Sequence, residues 1–248
     1  MNPILYLGDD DISRAAIYLA GVLSHYAIPF ERVDSTQSPD ADFYVKKYSL
    51  YILSDYPRKQ FLTGQLEHLV EAVRQGSGLL MVGGWESFHG KDGEYHDSPL
   101  VEVLPVTMSN HDDRRNCFQP LVARRVREHE ILENLPWGEA PPTFGGYNAI
   151  TPKPEATVLL NAVRVNLQNL QSGETRLTTG METVPLLIVG TFGRGKTAAL
   201  ATDVAPHWAG GFVDWGDQRI TQTVGDGFVE IGNHYAQLLR NLTLFLSR

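Results

Sequence analysis

Apolar runs that alternate with amphipathic segments are the feature that most constrains the fold of this 248-residue chain. Strand-like runs lie at residues 3–8, Phe30–Val33, 50–53 and Gly78–Val82. Between them, residues 12–26 and 62–75 carry apolar side chains at helical spacing. The run at Gly78–Val82 is apolar throughout, which is typical of a strand covered on both faces. This order predicts an α/β fold in which right-handed crossovers build a parallel sheet.

The rest of the chain gives weaker signals. Residues 91–155 are rich in proline and turn formers, which predicts long loops with short strands near 100–108 and 121–126. Further strands are expected at 158–165, 185–189 and 197–202, with a surface loop or hairpin over the polar segment 167–180. Residues 234–246 are amphipathic and predict a terminal helix packed on the sheet. Because no linker-like stretch divides the chain, we expect a single domain over residues 1–248.

Charge and composition argue against several classes of protein and of site. The formal net charge of −8 argues against a nucleic-acid partner, since phosphate binding favours a basic face. No window approaches the ~20 apolar residues of a membrane span, and the start lacks a basic signal-peptide region. The single cysteine, Cys117, excludes an internal disulfide and a cysteine-based zinc site. We therefore expect a cytoplasmic protein without membrane contact and without a cofactor.

The segment 190–197 satisfies the phosphate-loop pattern G-x-x-x-x-G-K-[ST]. Such a loop needs a helix directly after it, so that amide groups and the helix N-terminus converge on the phosphates. Pro206 follows too closely for a useful helix. A β-hairpin whose glycines supply turn positions is the better interpretation.

Acidic residues follow two predicted strands. Asp9, Asp10 and Asp11 follow the first, and Asp55 follows the third, so the two groups meet at the carboxyl edge of a parallel sheet. Over the first 85 residues this resembles the acidic, magnesium-binding pocket of response-regulator receiver domains, with Asp55 at the phosphoacceptor position. The alternative is that Asp10 or Asp11 caps the helix that begins near Ile12.

The strand Gly78–Val82 runs into Gly-Gly-Trp-Glu-Ser at 83–87, with small residues as a tight strand-to-helix elbow requires. Far downstream lie Asp-Val-Ala-Pro-His-Trp at 203–208 and Phe-Val-Asp-Trp-Gly at 212–216. Together with Gly-Gly-Tyr-Asn at 145–148, the Gly-Arg-Gly-Lys turn at 193–196 and the terminal helix, this order resembles the class I glutamine amidotransferase-like superfamily. Within it, the chain is most similar to the branch of glutamine amidotransferase-like proteins.

The resemblance implies a flavodoxin-like three-layer sandwich with a mostly parallel central sheet, extended by β-hairpins and long loops. It also implies a site at the elbow, where working amidotransferases carry cysteine. Here the apex is Gly84 or Trp85, and neither can act as a nucleophile. His207 stands near the position of the family histidine, but Trp208 follows it. Glutaminase activity is therefore not expected, and the analogy alone implies a homo-oligomer.

The elbow still predicts a pocket for a small polar metabolite such as a sugar, since aromatic rings flanked by carboxylates suit such ligands. A hydrolase without cysteine would use Glu86 and His207 as catalytic groups. The remaining candidates are ligand-binding residues, and no metal ligands are assigned among them: Asp9, Asp10, Gly84, Trp85, Ser87, His89, Trp208 and Trp215. The alternative for each tryptophan is that it packs a loop-rich face.

Overall fold

The computed structural model describes residues 2–248, apart from the side chains of Leu167 and Leu177. The strands are β1 (Ile4–Gly8), β2 (Phe30–Val33), β3 (Leu50–Ser54), β4 (Gly78–Val82), β5 (Val106–Thr107), β6 (Arg114–Arg125), β7 (Thr143–Asn148), β8 (Thr151–Pro152), β9 (Thr157–Asn169), β10 (Thr175–Phe192), β11 (Gly195–Leu200), β12 (Arg219–Val224) and β13 (Gly227–Gly232). The α-helices are α1 (Ala16–His25), α2 (Gln65–Arg74), α3 (Leu100–Val103), α4 (Pro206–Val213) and α5 (Asn233–Leu246). Short 3-10 helices lie at Ala41–Tyr44, Arg58–Gln60, Tyr95–Asp97 and Glu130–Leu132.

Nine strands form one central sheet in the order β2-β1-β3-β4-β11-β10-β9-β6-β7. The first five run parallel to their neighbours, and from β11 onward each neighbouring pair is antiparallel. The expected α/β fold with a large central sheet is confirmed, and the sheet is mixed. Two further pairs, β12–β13 and β5–β8, lie outside it.

Apolar strands and the direction of the crossovers explain the parallel part. Every residue of β1, β3 and β4 is buried, as expected of strands covered on both faces. The chain steps in one direction from β1 to β2 and in the other from β3 to β4. Right-handed crossovers therefore place α1 and α2 on opposite faces, and α5 packs against α1. Within residues 2–248, no helix is long and apolar enough to cross a membrane.

Several local predictions are confirmed. Residues 190–197 form the tight turn between β10 and β11, with Gly193 at φ 58 and Thr191 paired with Lys196. The polar segment 167–180 is part of the hairpin between β9 and β10, and the terminal helix is α5.

The expectation that Pro206 leaves no room for a helix is wrong. Pro206 occupies the first turn of α4, where its missing amide proton costs nothing.

Other predictions are wrong. No helix follows the supposed elbow, since residues 84–94 form successive turns and bends. The expected strand near 100–108 is the short helix α3 followed by β5. Helix α1 begins at Ala16, and no side chain caps it, so neither Asp10 nor Asp11 has the expected capping role. Asp11 instead accepts hydrogen bonds from the amide and hydroxyl of Ser13, which stabilise the preceding turn.

Candidate functional site

Four strand ends meet at the carboxyl edge of the parallel part of the sheet. Asp9 follows β1 directly, Asp55 follows β3 and Gly83 follows β4. Asp203 lies three residues beyond the end of β11. Because these strands are adjacent and parallel, their ends bring three carboxylates from distant parts of the chain to one place.

The backbone at this edge is in an unusual conformation. Asp9, Asp10 and Asp55 have φ values of 55, 51 and 43, in the left-handed region that costs energy for residues other than glycine. Such residues cluster at functional sites, where the surrounding structure holds them in place. Here the Asp9 amide donates to the Ser54 carbonyl at 2.8 Å, and the Asp55 amide donates to the Ser87 hydroxyl at 3.0 Å.

Asp55 occupies the place where a side chain at position 84 would project. A Cβ atom on Gly84 would overlap both carboxylate oxygens of Asp55. The Glu86 amide donates to Asp55 Oδ1 at 2.8 Å and fixes the carboxylate there. The apex of the supposed elbow therefore presents an acid that comes from the neighbouring strand end.

Burial shifts the ionisation of the three carboxyl groups. It raises the pKa of Asp55 to about 7, and the charge of Asp9 adds to the rise. It raises the pKa of Asp9 to about 6, although the nearby hydroxyls of Ser54 and Tyr6 oppose the rise. Burial also raises the pKa of Asp203, with Asp55 and Asp9 contributing. The three carboxyl groups together therefore retain protons near neutral pH. Carboxyl groups with such shifted pKa values are concentrated at functional sites.

An open cavity of about 370 Å³ lies in front of these groups. Its wall includes five carboxyl groups, one ammonium group and one indole ring: those of Asp9, Asp10, Asp55, Glu86, Asp92, Lys91 and Trp85. Burial raises the pKa of Glu86, and the charge of Asp92 adds to the effect. We name this space the carboxylate pocket. Asp11 does not line it, although Asp10 does.

Trp85 forms the aromatic rim of the carboxylate pocket and is 40% exposed. The guanidinium of Arg114 lies 4.5 Å from the centre of its ring, and the exposed His207 ring contacts it edge-on at 5.5 Å. In the described part of the chain, no hydrogen bond joins His207 to Glu86. The expected catalytic pair is thus not formed here, since Glu86 lines the pocket and His207 supports the rim.

A larger cavity of about 680 Å³ lies at the opposite edge of the sheet, near Ser49 and Ser77, which precede β3 and β4. Tyr44, His68 and Arg194 are among its lining residues. Ligands of open α/β sheets bind at the carboxyl ends of the strands, so size alone does not favour this cavity. In residues 2–248, no group of three or more histidine, cysteine or acidic side chains is arranged to hold a metal ion.

Residues 49–224 match a family described as "Putative glutamine amidotransferase" (GATase1-like). The chain belongs to this family. No curated protein matches it. Among solved structures, the chain is similar to the cytoplasmic protein STM3548 from Salmonella typhimurium, with 24% identity over 98% of each chain and a TM-score of 0.75.

A second similar structure is the cytoplasmic protein STM1381 from Salmonella typhimurium LT2, with 24% identity, a TM-score of 0.75, and coverage of 99% of this chain and 100% of that one. A third is a thua-like protein from Bacteroides uniformis, with 15% identity, a TM-score of 0.55, and coverage of 99% of this chain and 91% of that one. These similarities establish a shared fold.

The only cysteine of this GATase1-like chain is far from the strand ends that form the site. Cys117 is on β6, which β11, β10 and β9 separate from β4 in the sheet. Burial raises the pKa of its thiol, which opposes formation of the nucleophilic thiolate. At Gly84 the carboxylate of Asp55 fills the space of a side chain, so neither place offers a cysteine nucleophile.

Several predicted ligand-binding residues have structural contacts instead. Trp208 is 2% exposed, and its indole donates to Asn116 Oδ1 at 2.7 Å. Trp215 is 5% exposed, and its indole donates to the Ala140 carbonyl at 2.6 Å. This corrects the expectation that they face the ligand, because both are packed in the interior and neither lines the carboxylate pocket.

Ser87, His89 and Gly84 also differ from expectation. Ser87 is buried, and its hydroxyl accepts the Asp55 amide. His89 faces His96, with 2.9 Å between their Nδ1 atoms, so it does not line the pocket. Gly84 contributes the space that Asp55 fills, and its own amide and carbonyl both bond to Asn148.

The sequence interpretation missed two buried residues that hold the loop after β4. Asn148 accepts from the Gly84 amide at 2.9 Å and donates to the Gly84 carbonyl at 3.1 Å and to Asp113 Oδ1 at 2.8 Å. Asp113 also accepts from the amides of His89 and Gly90. Asn148 belongs to a motif quoted for the family, but its partner lies 64 residues away, beyond any local pattern.

Proposed function

We propose that this GATase1-like chain binds a small polar molecule in the carboxylate pocket and does not hydrolyse glutamine through a cysteine. One observation carries the proposal: the carboxylate of Asp55 fills the apex position and faces a cavity whose rim is Trp85. The strand order β2-β1-β3-β4-β11 supports the flavodoxin-like assignment, in which ligands bind at this edge.

The roles of the pocket residues follow from their chemistry. Asp55 and Glu86 accept hydrogen bonds from the ligand, and the exposed face of Trp85 packs on its apolar surface. Arg114 and His207 hold the ring of Trp85 from outside the pocket. A sugar is one ligand class that suits this combination.

Thermal-shift measurements on the purified chain test the proposal with a panel of sugars, amino sugars and amines. Ligands that bind should raise the melting temperature, and Trp85→Ala and Asp55→Asn should each reduce the rise. His207→Ala should have a smaller effect because it acts through Trp85. Phe118→Ala is the matched control, since Phe118 is 90% exposed and lies on β6. Shifts that survive both Trp85→Ala and Asp55→Asn would remove the pocket from the account.

Ammonia release from glutamine tests the proposal that the chain does not hydrolyse glutamine through a cysteine. We expect no release above the rate without enzyme, and no difference between the wild type and Cys117→Ser. Release that disappears in Cys117→Ser would show cysteine chemistry and contradict the proposal.

A second function, hydrolysis without a cysteine, is favoured by the near-neutral pKa of Asp55, about 7, in an open pocket. In this function Asp55 accepts a proton from water, and Glu86 is the second acid–base group in place of the expected Glu86–His207 pair. Nitrophenyl esters and glycosides provide the assay. Asp55→Asn should lower kcat/KM by about a hundredfold, while Phe118→Ala should leave it unchanged. Equal rates for the wild type and Asp55→Asn would exclude this function.

A further inference from the structure

Two acids that line the carboxylate pocket, Asp9 and Asp55, lie close to a third, Asp203, which is buried and does not line it. Asp9 is 2% exposed, Asp203 is 5% exposed, and Asp55 lies between their two strand ends in the sheet order. Five other ionisable groups approach them from four parts of the chain: Tyr6 on β1, Arg32 on β2, Glu86 and Lys91 after β4, and Tyr235 on α5. Five carboxyl groups and one ammonium group line the pocket, so its wall has an excess of negative charge when the carboxyl groups ionise.

No basic side chain neutralises these acids directly. Within residues 2–248, no ion pair joins Asp9, Asp55 or Asp203 to a lysine, arginine or histidine. The charge of Arg32 lowers the pKa of Asp9, but its Nη2 atom donates to the Gly8 carbonyl at 3.1 Å and lies 3.6 Å from the carboxylate of Asp34. Lys91 is exposed at the mouth of the pocket.

One polar atom next to the pocket wall is also left without a partner. The Ser54 hydroxyl is fully buried beside Asp9 and forms no geometrically satisfactory hydrogen bond in the described structure. The carboxylate of Asp203, by contrast, has a partner, since its Oδ1 atom accepts the Ala205 amide at 2.8 Å. Buried polar groups are normally satisfied, so an unpartnered hydroxyl beside Asp9 supports a ligand site at this end of the pocket.

In the free protein, protons compensate for the absent positive charge. The raised pKa values of Asp9, about 6, and Asp55, about 7, show that the wall keeps protons that exposed acids would have lost. A ligand with its own positive charge can replace those protons and pair with the carboxylates. A neutral polyol cannot, because it leaves the repulsion between the acids unchanged.

We infer that the molecule bound in the carboxylate pocket is an organic cation, whose protonated amine lies against Asp55 and Asp9 and whose carbon chain packs on Trp85. This inference rests on the proposed function and specifies its ligand class. Trp85 suits the role because an indole face attracts cations as well as alkyl groups. Binding releases protons to the buffer, since each carboxyl group that pairs with the amine loses the proton it held.

Diaminobutane and butanediol form a matched pair of probes, since they have the same carbon chain with and without charge. At about pH 7.5 and about 0.15 M salt, diaminobutane should raise the melting temperature of the full chain by roughly 2–4 °C, and butanediol should not. Asp55→Asn and Trp85→Ala should each abolish most of the rise. Asp226→Asn removes the same charge from the exposed β12–β13 turn and should retain it.

Proton release provides a second measurement that general charge attraction would not produce. In weakly buffered solution near pH 6.5, saturating diaminobutane should release up to about one proton per protein from the wild type and fewer from Asp55→Asn. Stabilisation without proton release would overturn the inference, as would equal shifts for the wild type and Asp55→Asn.

The outcomes also separate this inference from the proposed function. If butanediol or a neutral sugar stabilises the protein through Trp85 while diaminobutane does not, the pocket binds ligands but the charge class is wrong. If diaminobutane stabilises the wild type and Asp226→Asn but neither pocket variant, both proposals are supported. If diaminobutane has no effect on the wild type, the inference is overturned, and the proposed function then depends on the neutral members of the panel.

Discussion

The two halves of the central sheet differ in where they carry polar chemistry. The parallel half (β2, β1, β3, β4 and β11) contains fully buried strands, and its polar groups lie just beyond the strand ends. The antiparallel half (β10, β9, β6 and β7) contains both buried and exposed residues along its strands, and it exposes Phe118 and Met181 almost completely. A strand covered on both faces has no room for chemistry along its length, so function concentrates at its edge.

Besides the pairing of β11 with β10, the two halves are connected by hydrogen bonds to the loop after β4. Asp113 directly precedes β6, Asn148 ends β7, and both bond to the backbone of that loop. The antiparallel half therefore contributes no carboxylate to the pocket wall, but it positions the loop that supplies Trp85 and Glu86. The comparison predicts large effects from substitutions at the parallel edge and small ones from substitutions on the exposed antiparallel strands.

The largest effect is expected at Gly84. Gly84→Ala should destabilise the protein by about 3 kcal/mol, because the new methyl group overlaps the carboxylate of Asp55. Gly138→Ala is the control, since a Cβ at Gly138 meets nothing within 4 Å, and it should change stability by less than about 0.5 kcal/mol. Urea unfolding measures both values. In a double-mutant cycle, Asp55→Ala should recover part of the loss, and strict additivity would contradict the proposed overlap.

The next effect tests the connection between the halves. Asn148→Ala should cost about 2 kcal/mol, because it leaves the buried amide and carbonyl of Gly84 and one oxygen of Asp113 without this partner. Asn166→Ala, at an exposed position on β9, should cost less than about 0.5 kcal/mol. Hydrogen exchange of the amides at 84–90 should also become faster in Asn148→Ala alone. Unchanged exchange there would show that the parallel half holds this loop by itself.

The pH dependence of stability should arise mainly from the parallel half. The pKa of Asp55 is about 7 in the folded protein, against 3.8 for an ordinary aspartate, so between these values the folded state holds a proton that the unfolded chain has released. Stability should therefore fall as pH rises from about 4 to about 7 and then level off, with an amplitude on the order of 4 kcal/mol. Asp55→Asn should make the curve shallower, and the slope that remains should come from the raised pKa of Asp9. A wild-type stability that instead rises through this range would contradict the assigned ionisation.

The smallest effects are expected on the antiparallel strands. Phe118→Ser and Met181→Ser should each change the free energy of unfolding by less than about 0.5 kcal/mol, because these side chains are 90% and 98% exposed. Losses above about 1 kcal/mol in urea unfolding would show that this half buries them, for instance against another copy of the chain.

The sequence predicted the parallel half well because its signals are local. Periodicity located β1 to β4, the helices α1 and α2 and the terminal helix, and parallel topology correctly placed Asp9 beside Asp55. The glycine turn between β10 and β11 was equally local. These features depend on residues that are close in the chain.

The remaining features of the site depend on contacts between residues that are far apart in the sequence, which no local pattern reveals. Asp203 looked like part of a family motif, and only the parallel pairing of β11 with β4 brings it to the other acids. Trp208 and Trp215 looked like ligand platforms because their hydrogen-bond partners, Asn116 and Ala140, lie far away in sequence. The elbow itself was mispredicted because its small residues make room for a carboxylate of a neighbouring strand end.

The most direct test of the account is an NMR titration of carboxyl-labelled aspartates from about pH 3 to about pH 9, assigned with Asp9→Asn and Asp55→Asn. The account predicts one aspartate with a pKa of about 7 that is absent in Asp55→Asn, and another of about 6 that is absent in Asp9→Asn. Adding diaminobutane should lower both pKa values. Titration of Asp55 at about pH 4, like an exposed aspartate, would contradict the claim that an acid with a raised pKa occupies the space next to Gly84 at the pocket.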